Sequence, residues 1–367
     1  MAWCKQKRWL AVFIAAIALA QGCKIVSDHL TRWKMLDQSA LEDPLKAVGG
    51  DGIVFTPKHE DRPMTRAQLA SANPRELVSY YCPVFIQQRV DQSGQRYAYP
   101  KEFDLIGEAS LQPEEKGKYK GVISGQPKVY FIYQKRPIGE KGKEHVQLTY
   151  TAWYPAHPRM KAIDLEMATI DSCVLRITLD DQNAPLFYET IAACGCFHKV
   201  FVTSWLEESA KNAYGSPEKG KKFAVEKIAK DKIDWEVAGI VSEARDEPRR
   251  PVVFIKAGDH KVLGMGSRSR LKIPANADVR SYELADYEEL YAVRVDGSNE
   301  RKPFFDLEDG GKVHGAQRKE RFLFSVFGVD GAGQPRANNN IKLHFDQSDW
   351  DDTTTYGRYL RLPADAL

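Results

Sequence analysis

Cys173-Val174-Leu175-Arg176-Ile177-Thr178-Leu179, the polar reversal Asp180-Asp181-Gln182-Asn183 and the return Leu186-Phe187-Tyr188-Glu189-Thr190-Ile191 decide the fold class. Cys173, Leu175, Ile177 and Leu179 alternate with Val174, Arg176 and Thr178, a period of two that belongs to a strand. The turn residues between the two runs make them a β-hairpin. Upstream, Val146, Leu148, Tyr150, Ala152 and Tyr154 share one face of a second strand, with Gln147, Thr149, Thr151 and Trp153 on the other. Lys128 to Tyr133 is its antiparallel mate, joined through Gly139-Glu140-Lys141-Gly142. The pattern predicts a mainly β protein, an antiparallel sandwich or half-barrel with a few short peripheral helices; α+β is the alternative.

The hairpin runs directly into Cys194-Gly195-Cys196-Phe197-His198. In an extended stretch Cys194, Cys196 and His198 project from one face, and the hairpin register brings Cys173 close to them. Three readings stand side by side. Cys82, Cys173, Cys194 and Cys196 are an even set, suited to one or two disulfides in an oxidising compartment. Cys173, Cys194, Cys196 and His198 also suit Zn²⁺ or, less well, Cu(I). The third is a redox-active Cys-Gly-Cys pair activated by His198. Covalent haem is disfavoured, because it needs Cys-x-x-Cys-His.

Residues 1–22 read as a signal peptide: Lys5, Lys7 and Arg8, an apolar run from Trp9 to Ala20, then small residues up to Cys23. Ala18-Leu19-Ala20-Gln21-Gly22-Cys23 resembles the lipobox of bacterial lipoproteins, which implies a lipidated Cys23. Lys24 after it carries no inner-membrane retention Asp, and by the same analogy the protein is expected on the outer membrane, facing the periplasm. The net charge of +3 resides in this segment, leaving 50 Lys+Arg against 50 Asp+Glu. A balanced surface offers nucleic acid no general attraction.

Residues 23–63, with Gly49-Gly50-Asp51-Gly52, read as the lipidated Cys and a flexible tether. Thr65–Gln68 and Asn73–Glu76 are helix-opening capping boxes, and Cys82 to Ile86 is expected to be the first core strand. Ser204–Glu207 is a third capping box, and Lys219 to Lys232 reads as a solvated helix. Asp246–Pro251 is the expected joint between a main β-rich body, 64–245, and a second β-rich subdomain, 246–367. Val252 to Ile255, Tyr287 to Val295 and Arg321 to Phe327 read as its strands.

Weaker signals include Asp346, Asp349, Asp351 and Asp352, and Asp306, Glu308 and Asp309 before Gly310; neither set matches a calcium loop. Gly264-Met265-Gly266 lacks the strand-to-helix setting of a dinucleotide site. His145 and His260 are separate histidines that could complete a site in three dimensions, but each is expected at the surface. The sequence holds no G-x-S-x-G, H-E-x-x-H or P-loop.

Trp153-Tyr154-Pro155, Leu175 to Leu179, Pro185 to Glu189 and Cys194 to His198 together resemble a group of uncharacterised bacterial proteins. That group has a W-[FY]-P segment, a WRVTL-like hairpin and a C-G-C-[FY]-H core; Arg321-Phe322-Leu323-Phe324 echoes a later R-F-[IL] stretch. The resemblance implies kinship and no activity. Where the group has further histidines beside the C-G-C core, this chain has Ala192 and Ala193. The expected function is therefore an exported lipoprotein that acts as a structural or interaction module. It is held to the membrane by its anchor, with an envelope protein as further partner, and the Cys/His cluster stabilises its sheet. The alternative is a Zn- or Cu-dependent hydrolase, or a redox protein, built on Cys194, Cys196 and His198.

Overall fold

The computed structural model describes residues 35–58, 63–138, 142–195, 197–228, 237–269, 271–316, 318–321, 333–337, 354–364 and 366–367. The strands are β1 (Gly52–Pro57), β2 (Val84–Gln88), β3 (Glu108–Pro113), β4 (Tyr119–Ser124), β5 (Lys128–Ile138), β6 (Lys143–Tyr154), β7 (Asp171–Leu179), β8 (Pro185–Ile191), β9 (Lys199–Thr203), β10 (Val237–Val241), β11 (Pro251–Ile255), β12 (Val262–Ser267) and β13 (Asp278–Asp286). Eleven of them form one sheet in the order β10-β9-β8-β7-β6-β5-β13-β1-β2-β11-β12, which nearly closes into a barrel. At the seam the Ser267 hydroxyl donates to the carbonyl of Ser242, just past β10, at 3.3 Å.

The run β5 to β9 is antiparallel throughout, with Tyr150 opposite both Phe131 and Leu175, and Arg176 opposite Glu189. This half carries the expected hairpins. The other half brings in parallel pairs, β13 with β5 and β1, and β2 with β11.

Side-chain alternation assigns the two faces of the wall. Val54, Val84, Ile86, Val252 and Phe254 face outward beneath Ala40, Leu41 and helix α1 (Pro44–Ala47). Trp153, Val174 and Ile191 face outward beneath β3, β4 and residues of the 287–316 segment. Phe187, Val200 and Val202 are covered by helix α4 (Ser204–Tyr214) and Tyr356. The alternate residues Phe55, Phe85, Tyr150, Tyr154, Tyr188 and Tyr282 fill the inside and are wholly buried. Their hydroxyls need partners there. Tyr150 donates to Val78 O at 2.8 Å and Tyr282 to Pro83 O, both on the segment that holds helix α3 (Pro74–Tyr80).

The capping boxes at Thr65 and Asn73 form as expected and open helices α2 (Arg66–Ala70) and α3. Among the described residues no helix is long and apolar enough to cross a membrane.

Several expectations are corrected. The tether does not extend to residue 63, because Gly52–Pro57 is an interior strand of the sheet. Ile53, Val54 and Phe55 are an apolar run buried on both faces, the mark of a strand with covered sides. The Cys82–Ile86 strand is accordingly the second. No joint at 246 divides the sheet: Leu36–Leu367 form one compact unit, and β13 inserts between β5 and β1. Tyr287–Ala292 is a 3₁₀ helix capped by Asp286, because its buried residues, Tyr287 and Leu290, lie three apart. The cap of α4 is Thr203, and Glu207 accepts instead from the amides of Ala224 and Val225. That anchoring keeps the described part of the 219–232 segment non-helical. Gly264 is explained by Leu36, whose carbonyl oxygen would clash with an added Cβ.

Candidate functional site at the rim of the barrel

The stretch after β8 is a turn and not a strand. Gly195 N donates to Ala192 O at 2.7 Å, and Gly195 and Phe197 have φ of 84° and 59°. The extended strand expected to carry Cys194 and His198 on one face is therefore absent among the described residues. Cys23 and Cys196 lie outside the described residues, as do Asp346, Asp349, Asp351 and Asp352. Cys173 shares the inward face of Leu175, whereas His198 is tied to the outward Glu189. The wall thus separates two members of the expected cluster. Burial, with Asp171 nearby, raises the Cys173 thiol to about 12, so it is no nucleophile at neutral pH. Cys82 donates to Ser79 O, and among the described residues no disulfide links Cys82, Cys173 and Cys194.

Glu189 is the centre of a sealed outward network. Arg176 reaches it twice, Nε to Oε2 at 2.8 Å and the guanidinium NH2 to Oε1 at 2.9 Å. His198 Nε2 donates to Oε1 at 3.0 Å and the Tyr356 hydroxyl to Oε2 at 2.9 Å. Burial would raise this carboxyl, but Arg176 and His198 outweigh it and bring it down to about 2. With both oxygens doubly bonded, Glu189 has nothing left to offer a ligand.

A second network sits at one rim, where β6 ends, β7 begins and the β11–β12 turn passes. Asp171 Oδ2 accepts from Nδ1 of His157 and of His260, each at 3.0 Å, and its Oδ1 accepts from Arg318 at 3.1 Å. Burial alone would raise Asp171; its two histidine bonds and the Arg318 charge hold it far below the usual range. His260 stacks on Tyr154 at 3.8 Å between ring centres. Its Nε2 donates to Phe103 O at 3.1 Å and lies 3.4 Å from Asp104 Oδ1. Burial disfavours the charged ring, yet Asp104 and Asp171 outweigh this and raise His260 to about 9. His260 is therefore a buried imidazolium at neutral pH, and the surface position expected for it is wrong. His145 is buried too, with Nδ1 at 2.9 Å from Leu179 O, and burial lowers its pKa.

His157 differs from its neighbours because it also lines an open cleft of about 740 Å³. The walls include Tyr97, Tyr99 and Phe103, with Arg96, Arg159 and Lys120; among the described lining residues there is no carboxylate. The Tyr99 and Phe103 rings are stacked, 10° from parallel. Arg96 and Arg159 lie over the Tyr97 ring, at 5.4 and 4.9 Å from its centre. No family model, curated protein or solved structure matches this chain. The site is therefore read from its own geometry.

Behind His157, the loop joining β6 and β7 folds back on Asp164, which accepts from the amides of Met160 and Glu166. Nε2 of His157 faces Glu166 Oε2 at 3.8 Å, and Lys261 Nζ lies 3.6 Å from the same oxygen. The Asp306 group is a self-contained turn, its carboxylate accepting from the amides of Glu308 and Asp309. The aromatic cleft and the His157–Asp171–His260 network were missed in the sequence. The one local signal is an acidic residue, Asp171, at the head of a wholly buried strand.

Proposed function

We propose that this protein is an exported, lipid-anchored envelope module that binds an anionic, ring-bearing glycan in the rim cleft. The carrying observation is the lining itself: three aromatic rings with arginine, lysine and histidine around a space sized for a small ligand. Apolar ring faces favour the C–H faces of sugars, and guanidinium groups favour carboxylate or phosphate. The lipobox-like Ala20-Gln21-Gly22-Cys23 supports the anchor, and with it the outer-membrane location expected from Lys24. The balanced charge of the remaining chain makes the cationic cleft a local feature and not part of a basic surface.

Calorimetry on the full chain in detergent micelles tests this reading. Oligogalacturonate is expected to bind at least tenfold tighter than a neutral maltooligosaccharide of the same length, with the advantage shrinking in high salt. Equal affinity, or no binding of either, would overturn it.

One observation favours an enzyme instead. Asp171 fixes the Nδ1–H of His157, the orientation a general base needs at a cleft wall. Release of reducing ends from oligogalacturonate, abolished in His157→Gln, would replace binding with hydrolysis as the function.

A further inference from the structure

We propose that His157, Asp164 and Glu166 form a binding site for a divalent transition-metal ion of the zinc class. Their nearest ligand atoms all lie within 4.8 Å of one another. His157 and Asp164 are 3 % and 5 % exposed, and the Glu166 side chain 14 %. Ligands sharing a tetrahedral zinc are about 3.3 Å apart, so a small closing movement of the loop completes the site.

The argument rests on His157. Asp171 accepts from Arg318 and the Ser172 amide at Oδ1 and from the His260 ring at Oδ2, and the same Oδ2 accepts the His157 Nδ1 proton. That leaves Nε2 directed at Glu166 Oε2 from 3.8 Å, beyond hydrogen-bond reach, with Asp164 beside it. Nε2 of His157 and the carboxylates of Asp164 and Glu166 thus converge on one space, an arrangement that a metal cation bridges. Lys261 Nζ stands at its edge, 3.6 Å from both Glu166 and Asp259, and 3.9 Å above the Phe197 ring.

The donor set selects the metal. One imidazole with two carboxylates suits Zn²⁺ or Mn²⁺, whereas Ca²⁺ and Mg²⁺ take oxygen alone. A carboxylate on the far ring nitrogen is the usual outer partner of a metal-bound histidine, and Asp171 occupies that position. The Asp164 carboxylate is held in place by the amides of Met160 and Glu166. Three protein ligands leave a fourth position open on the metal.

The test is zinc titration of the chelator-stripped full chain in detergent, followed by zinc-edge X-ray absorption. The expected result is one zinc per chain in a shell of nitrogen and oxygen at about 2.0–2.1 Å, without sulfur at about 2.3 Å. Glu166→Gln is expected to weaken zinc at least tenfold, while Cys196→Ser leaves it unchanged. No stoichiometric zinc, a sulfur-containing shell, or an unaffected Glu166→Gln would each overturn the site. Should Glu166→Gln fail to fold, the absorption spectrum of the unaltered chain decides alone.

Discussion

Glu189 and Asp171 stand on neighbouring strands of one wall, yet they face opposite sides of it and end in different chemistry. Glu189 points outward into a closed set of donors, its four hydrogen bonds drawn from Arg176, His198 and Tyr356. Asp171 points inward at the rim, and its partners lead onward: His260 to Asp104, and His157 to Glu166 and the open cleft. Both carboxylates are deeply buried and paired with arginine and histidine, so neither burial nor partner type separates a structural network from a functional one. What separates them is the acceptor or ring nitrogen left facing something other than a partner.

The largest expected effect is on the sealed side. Arg176→Met strands the buried Glu189 charge and is expected to cost about 3–5 kcal/mol in urea unfolding. Ligand binding by the protein that remains folded should not change. A loss of binding in folded protein would break the comparison.

The two networks should also fail at opposite ends of the pH scale. Glu189 has a lowered pKa, so its stabilisation is present above its ordinary value of 4.5 and lost as pH falls through about 2. His260 has a raised pKa, so its stabilisation is present below 6.5 and lost as pH rises through about 9. The stability lost in His260→Gln is therefore expected to be about 3 kcal/mol greater at pH 6 than at pH 10. Urea melts across that range check it; a difference independent of pH would contradict the imidazolium assignment.

Glu243 sharpens the contrast, as a buried carboxyl held by the Tyr188 hydroxyl and the Arg249 amide. Burial raises it to about 7 against the lowering effect of Tyr188 and the Arg249 amide. The folded state favours the protonated form, so stability falls as pH rises from 4.5 to 7. Glu243→Gln is expected to match the unaltered protein below pH 4.5 and to exceed it by about 3 kcal/mol at pH 8. Thermal melts at the two pH values read this. The smallest effect on stability belongs to Arg159→Ala, an exposed cleft residue whose loss should change unfolding by less than about 0.5 kcal/mol.

The β5–β6 and β7–β8 hairpins were legible because a short polar turn joins each pair and alternation marks the register. Parallel partners leave no such mark. Asp278–Asp286 pairs with Gly52–Pro57 across most of the chain, and the rule that finds hairpins is silent there. The Gly49–Gly52 run made the chain before β1 look like linker, while the apolar Ile53-Val54-Phe55 was the better guide. Cysteine spacing misled for a physical reason: positive φ at Gly195 and Phe197 turns a stretch whose alternation holds only if it is extended. The rim site draws on Asp104, His157, Asp171, His260 and Arg318, each solitary in the sequence, so only folding brings them together.

The most direct test compares oligogalacturonate titrations of the unaltered chain, Arg159→Ala and Cys196→Ser under one buffer condition. If function resides at the rim, Arg159→Ala weakens binding about tenfold or more while Cys196→Ser binds as the unaltered chain does. Weakening by Cys196→Ser, with Arg159→Ala unaffected, would contradict the account and return function to the Cys/His string.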